Sequence, residues 1–324
     1  MGRPVSHPIA FGRFDFDNVG SHTIARTPRS GSMGEDMEGK LPPRLGIVIL
    51  MVIAVTFGSN HISARIAFDH GASVVTGVFA RSLFTSLAVF ALLRLQGVRI
   101  ALSRAQLGRA ALVGVVLSVQ SYCLYSAVSQ IPVALALLAF NTFPVMLSLM
   151  TWAAGRGRPS ARATIAMPIA LGGLSIALDV WGKPIGAGVL WALAAGFSFA
   201  TALFLIDVWL KEVDGRIRSA LTMAVVALIV AVVGSAMGAF RAPADATGWL
   251  GLALLSMFYG LAITSVFVVL PKMGSASYAV VLNFEPISLL LLGWLILGQA
   301  IAPLQVFGAF IVVGAIVWLG MARK

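Results

Sequence analysis

Glu285 and Pro286 stand side by side in the stretch LNFEPIS, Leu282 to Ser288, and Glu285 is the one charged residue of the apolar run from 276 to 297. A carboxylate nine residues into such a run lies about 14 Å along a helix, near its middle. Were the run to cross a membrane, an isolated charge there would cost at least about 2.5 kcal/mol, so it must face a partner or water. Such a carboxyl can carry a coupling proton or receive a substrate amine, and pairing with an arginine or backbone donors is the structural alternative. Arg81 poses the complementary question eight residues inside the run from 73 to 95. About 12 Å from the nearer end, its guanidinium is too deep for easy snorkelling and needs an anion. Glu285 is the only acid at comparable depth, so the two are expected to pair when the site is empty or to share a zwitterionic solute. His61 and Arg65 lie nearer the end of their own run, where Arg65 can also reach lipid headgroups.

Two prolines shape the backbone beside these groups. Pro286 cannot donate to the Leu282 carbonyl, nor Pro144 to that of Phe140, so both helices should bend or open. Asn283 and Asn141 stand three residues before each proline and can supply the donors and acceptors that freed backbone requires. The arrangement reads as a polar solute site built from both halves of the chain, or else as packing kinks with asparagine joining helices. Gln120, Ser121, Tyr122 and Tyr125, with Trp191, Ser198 and Tyr259, are candidate lining residues or ordinary helix packing. Gly188, Ala192 and Gly196 have the spacing of a close helix contact.

The elements that must carry these residues follow from composition. Of 324 residues 59% are hydrophobic and 11% charged, which places the chain among polytopic membrane proteins. Ten runs are long enough to span about 30 Å of hydrocarbon: 45–68, 73–95, 107–128, 131–154, 163–180, 185–206, 219–239, 248–270, 276–297 and 303–321. Their continuity excludes a β-barrel, whose strands alternate. The polar segment 1–44, with Met33 and Met37 as alternative starts, is expected to be a disordered tail. The single cysteine, Cys123, sits in the third run and forms no intrachain disulfide.

The formal charge of +11 is distributed by side rather than gathered as a nucleic-acid patch. Nineteen of the 23 Lys and Arg residues fall in the tail, the even-to-odd connections and the C-terminus, whereas Lys183 and Arg241 lie opposite. Both termini are therefore expected in the cytoplasm, in a multi-pass protein of the cell (inner or plasma) membrane.

The two halves also resemble each other. An offset of 142 matches Ala134 with Ala276, Asn141 with Asn283, Pro144 with Pro286, Trp152 with Trp294 and Gly172 with Gly314. An offset of 138 matches Gly58 with Gly196, Ala64 with Ala202 and Asp69 with Asp207. The sequence thus divides into repeats at 45–180 and 181–324. Five spans being odd, the second repeat enters from the opposite side, the inverted arrangement of many secondary transporters.

Several segments resemble the EamA family of ten-helix carriers in the drug/metabolite transporter superfamily. FGSNHISARIAF is similar to that family's opening pattern of aromatic, Gly, Ser, Asn and then a basic residue, which brings in Asn60 and places Arg65 at the basic position. VFARSLFTSLAVFALL resembles its second span with a single arginine, here Arg81. SYCLYSAVSQIPVALALLAFNTFPVM and SASYAVVLNFEPISLLLLGWLILGQ resemble its paired loop-and-span segments with a central proline. Where the family commonly closes the fourth and ninth spans with Gly-Glu, this chain has Gly155-Arg156 and Gly298-Gln299. The resemblance implies a secondary transporter, often an exporter of amino acids or related metabolites.

An intramembrane enzyme would need a nucleophile with its base, or metal ligands at helical spacing. His7, His22, His61 and His70 fall in the tail or near one end of the first span, and no HExxH or Walker-type loop occurs. The expectation is a carrier with no metal or cofactor, a small-molecule solute, a lipid surround and a proton as candidate coupling ion; a channel is the alternative.

Overall fold

The computed structural model describes residues 43–156, 161–177, 186–269, 276–300 and 302–320; the segment 1–42 and the side chains of Asn283 and Pro286 lie outside the described set. Every regular element among the described residues is an α-helix. In chain order these are α1 (Pro43–Asp69), α2 (Val74–Leu95), α3 (Arg104–Gln130), α4 (Val133–Phe140), α5 (Phe143–Ala153), α6 (Ala161–Ala177), α7 (Ala187–Trp209), α8 (Gly215–Ala236), α9 (Ala246–Val269), α10 (Ala276–Leu297) and α11 (Pro303–Gly320). Among the described residues six segments are, by length and composition, long and apolar enough to cross a membrane: Val74–Leu95, Arg104–Gln130, Val133–Ala153, Ala187–Trp209, Gly215–Ala236 and Ala246–Ser265. Thr164–Ala177, Ser288–Leu297 and Pro303–Ala315 are shorter apolar helices.

Polar residues at the helix starts supply local chemistry. Ser73 accepts a bond from the Thr76 amide, and Ser103 with Gln106 closes a capping box ahead of α3. Asp214 caps α8 by accepting from the Arg216 amide.

The run 131–154, where Pro144 is expected to bend or open the helix, opens into two. α4 stops at Phe140, Asn141 and Thr142 form a turn, and α5 restarts at Phe143 with Pro144 in its first turn. The break thus precedes the proline, because a first-turn position needs no N–H while a mid-helix one does. The opposite outcome holds in the second half, where α10 runs unbroken across Pro286. The Phe140 carbonyl is met by Gly196 of α7, where a Cβ would lie 2.9 Å from that oxygen. The small-residue stripe of α7 therefore serves close approach: a Cβ on Gly188 would stand 2.6 Å from the Ile131 side chain.

Helix pairing follows a two-fold pattern. α1 packs on α9 and α10, while α7 packs on α3 and on the α4–α5 pair. α2 contacts α8 and α9, as α8 contacts α2 and α3. α6 and α11 pack on each other. Exchanging α1–α6 with α7–α11 maps α1–α9 onto α3–α7, α1–α10 onto α4–α5 with α7, and α2–α9 onto α3–α8, and leaves α2–α8 and α6–α11 in place. Two groups result, α1–α9–α10 and α3–α4–α5–α7, each assembled from both halves of the chain. Large apolar side chains such as Leu87, Phe197, Leu228, Val232, Trp294 and Phe310 are exposed on the outside, as a hydrocarbon surround demands.

Candidate functional site

Two turns into α2, Arg81 is buried, 3% exposed, and turns into the space where the two helix groups meet. Its Nη2 donates to Ser121 Oγ of α3 at 2.8 Å. The guanidinium carbon lies 4.1 Å from the centre of the Tyr259 ring of α9 and 4.9 Å from that of Tyr125 of α3. The cation is thus held by π faces from both groups. Among the described residues its Nε has no hydrogen-bond partner.

Around it the polar residues interlock. Tyr125, fully buried, donates its hydroxyl to Asn60 Oδ1 of α1 at 2.9 Å, and Asn60 donates from Nδ2 to the Phe57 carbonyl. Ser121 donates in turn to Gln120 Oε1 at 3.3 Å. Phe57 meets the Tyr259 ring edge-on with centroids 6.0 Å apart. On the same face of α1, His61 is buried, and its Nε2 lies 3.7 Å from Glu285 Oε1 of α10 while its Nδ1 is unpartnered. The Glu285 carbonyl accepts from Ser288 Oγ, and Ser288 is seated against Gly58, where a Cβ would stand 2.6 Å from that oxygen.

The expected pair of Arg81 with Glu285 is not formed: among the described residues the acid faces His61, and the arginine faces serine and two tyrosines. Position along each helix does not fix which way that helix is rotated. Asn60, His61, Arg81, Gln120, Tyr125, Tyr259 and Glu285 do come together. Tyr122 does not, since it is exposed and packs edge-on against Trp191 at the α3–α7 seam. Asn141 caps α4 through its amide, which donates to the Leu137 carbonyl. The Asn283 and Pro286 side chains lie outside the described residues.

Arg65 does not reach for headgroups. Its Nε donates to both oxygens of Asp69, at 2.9 and 2.8 Å, and its Nη1 donates to the carbonyls of Val128 and Ile131 at 3.1 and 3.4 Å. Gln299, following α10, accepts the Val133 amide at 3.1 Å. Both residues belong to the α1–α9–α10 group, and both grip the turn between α3 and α4 in the other group. One satisfies the last carbonyls of α3 and the other the first amide of α4, the groups each helix end leaves free. The Gln299 contact had no local signal, whereas Arg65 and Asp69 stand at the i, i+4 spacing of a helical ion pair. At the same end the α1–α2 turn joins the α8–α9 loop: the Ala244 amide donates to the His70 carbonyl at 2.8 Å, and His70 Nδ1 is 2.7 Å from Asp245 Oδ2. The Gly248 amide and then His70 hold the Asp245 carboxyl below the usual range.

Among the described residues no group of three His, Cys, Asp or Glu side chains could hold a metal ion. The profile described as the EamA-like transporter family matches residues 44–178 and again 186–321. No curated protein matches the chain in sequence. Among 21 chains of solved structures that do match, one, titled only as a crystal structure of a protein, aligns with a TM-score of 0.54 at 17% identity. The alignment covers 87% of this chain and 97% of that one, a likeness of fold alone.

Proposed function

The chain belongs to the EamA-like transporter family, and from that premise we propose that it is a secondary carrier exporting an amino acid or related small polar metabolite across the inner or plasma membrane. In this reading ten spans form two inverted repeats with both termini in the cytoplasm, and the groups α1–α9–α10 and α3–α4–α5–α7 rock about the polar cluster between them. One observation carries the proposal: among the described residues, buried polar atoms of Arg81 and His61 have no hydrogen-bond partner where the two groups meet. In a low-dielectric interior such atoms are costly, and a solute that bonds them recovers that cost.

Glu285 and His61 are the coupling element. Side by side at 3.7 Å, a carboxyl and an imidazole can hold one proton between them and release it when the groups rearrange. Arg65 and Gln299 close one mouth of the site by gripping the α3–α4 turn, and by charge distribution that mouth faces outward. Export requires this grip to release on the loaded carrier.

A thermal-shift screen of the purified chain against amino acids, nucleosides, sugars and organic cations identifies a binder, because a ligand of the native state raises apparent stability. That solute should then enter ATP-free proteoliposomes saturably, faster under an imposed pH gradient. Uptake that does not saturate, or that requires ATP, sinks the proposal.

A further inference from the structure

We propose that Arg81 is the receptor for a carboxylate on the solute, and that the solute's ammonium group, where it has one, is dispensable for binding. Arginine stays protonated in proteins, so burial cannot discharge it as burial discharges a lysine or a histidine. A buried guanidinium is strongly disfavoured unless it is matched by an anion. Here Ser121 supplies one neutral acceptor, and the rings of Tyr125 and Tyr259 supply a cation–π field. Neither kind of contact neutralises the charge. Among the described residues no carboxylate forms an ion pair with it, and the nearby acid, Glu285, is turned to His61.

Geometry favours a carboxylate in particular. The guanidinium is a planar donor fork suited to two carboxylate oxygens, and its Nε is buried with no partner. Its attachments come from three directions, α3 on two sides through Ser121 and Tyr125 and α9 through Tyr259, so the fork is fixed before the solute arrives. The part-exposed Tyr259 ring, met edge-on by Phe57, offers apolar surface to the body of the acid. Beside the fork no carboxylate awaits the ammonium of a zwitterion: among the described residues Glu285 lies against His61, at 3.7 Å, and Asn60 Oδ1 already accepts from Tyr125. The carrier's solutes on this account are organic carboxylates, amino acids among them only as one kind. This deepens the carrier reading and rests on it for the transport step, although not for binding.

The test uses the full-length purified chain and five probes: propionate, phenylacetate, phenylacetamide, phenethylamine and phenylalanine. One or both of the simple acids should raise the melting temperature in a saturable manner, and neither the amide nor the amine should do so. Arg81→Gln should weaken acid binding by about 30-fold or more, the loss expected when a buried charge pair is truncated. Should that variant fail to fold, the acid-against-amide comparison on the unaltered chain decides alone. Stabilisation by phenethylamine or phenylacetamide equal to that by phenylacetate overturns the proposal. So does stabilisation by phenylalanine alone, or by none of the acids. Acid binding without exchange across vesicles leaves this site standing and removes the carrier reading; exchange of an uncharged solute with no acid binding does the reverse.

Discussion

The two helix groups meet at two levels, and the levels are built on opposite terms. At the clasped end, Arg65 bonds Asp69 and two carbonyls of the other group and Gln299 takes the Val133 amide, while beside the groups the Arg241 carbonyl accepts from both the Ser73 amide and Thr76 Oγ1 at the start of α2. About two turns in from the α1–α2 turn, Arg81 Nε, His61 Nδ1 and Ser82 Oγ are buried, and among the described residues none of them has a partner. Packing that served stability alone would have satisfied or removed those atoms, since each unmet polar group at membrane depth costs on the order of several kcal/mol. The contrast separates a closure, whose bonds hold one arrangement, from a site, whose bonds await a ligand.

The largest effect that would sharpen this contrast is expected at the centre. Glu285→Gln keeps the shape and removes the exchangeable proton, so uptake driven by a pH gradient should fall at least about 100-fold, within the range for a positioned proton carrier. Uptake that stays gradient-driven in that variant ends the coupling role. Next in size is Gly196→Val, which pushes a side chain against the Phe140 carbonyl at 2.9 Å and should cost about 1–3 kcal/mol, read as a lowered melting temperature. If the variant is as stable as the parent, the α4–α7 approach is looser than described.

The closure is broken more gently. Gln299→Ala removes one acceptor and leaves the Val133 amide unmet, a change of about 1 kcal/mol that should shift the balance of closed and open mouths about fivefold. Labelling by an impermeant thiol reagent at a cysteine replacing Ser129, with Cys123→Ser, would report the shift. No change in labelling rate assigns the bond to stability alone. Tyr125→Phe, which cuts the link from α3 to Asn60, should weaken stability by about 1 kcal/mol and alter solute affinity, whereas the clasp variant should alter labelling more than affinity.

The smallest expected effect lies outside both levels. The Arg216 side chain, with the backbone amide beside it, holds the Asp214 carboxyl below its ordinary range. A depressed carboxyl stabilises the fold above its unfolded value and loses that contribution as pH falls through the lowered one. Asp214→Asn should therefore flatten the decline of stability below about pH 4, by at most about 1 kcal/mol on a part-exposed cap. An unchanged acid limb in thermal melts would remove Asp214 from the account.

Much of the architecture was legible because it rests on composition and period. Apolar run length gave the helices, and the Asn141/Asn283 and Pro144/Pro286 matches gave the doubled layout that the family assignment also carries. Glu285 and Arg81 were legible as charges at unaffordable depth. Their partners were not, because a residue count fixes height along a helix and leaves rotation open, and rotation is set by side-chain packing against helices distant in sequence. For the same reason the break at Asn141–Thr142 was displaced from Pro144, since Phe140, Phe143 and Phe199 pack together around that turn. Gln299 looked like a lost family carboxylate until the Val133 amide, 166 residues away, gave it a donor.

Counterflow tests the central claim most directly. Proteoliposomes holding the purified chain are loaded with an unlabelled solute that stabilises it, and the entry of the labelled solute is followed. A carrier alternating about the Arg81–Glu285 cluster should show uptake accelerated by solute on the far side, with that acceleration lost in Arg81→Gln. Uptake indifferent to the far side and accompanied by channel-like conductance would contradict the account.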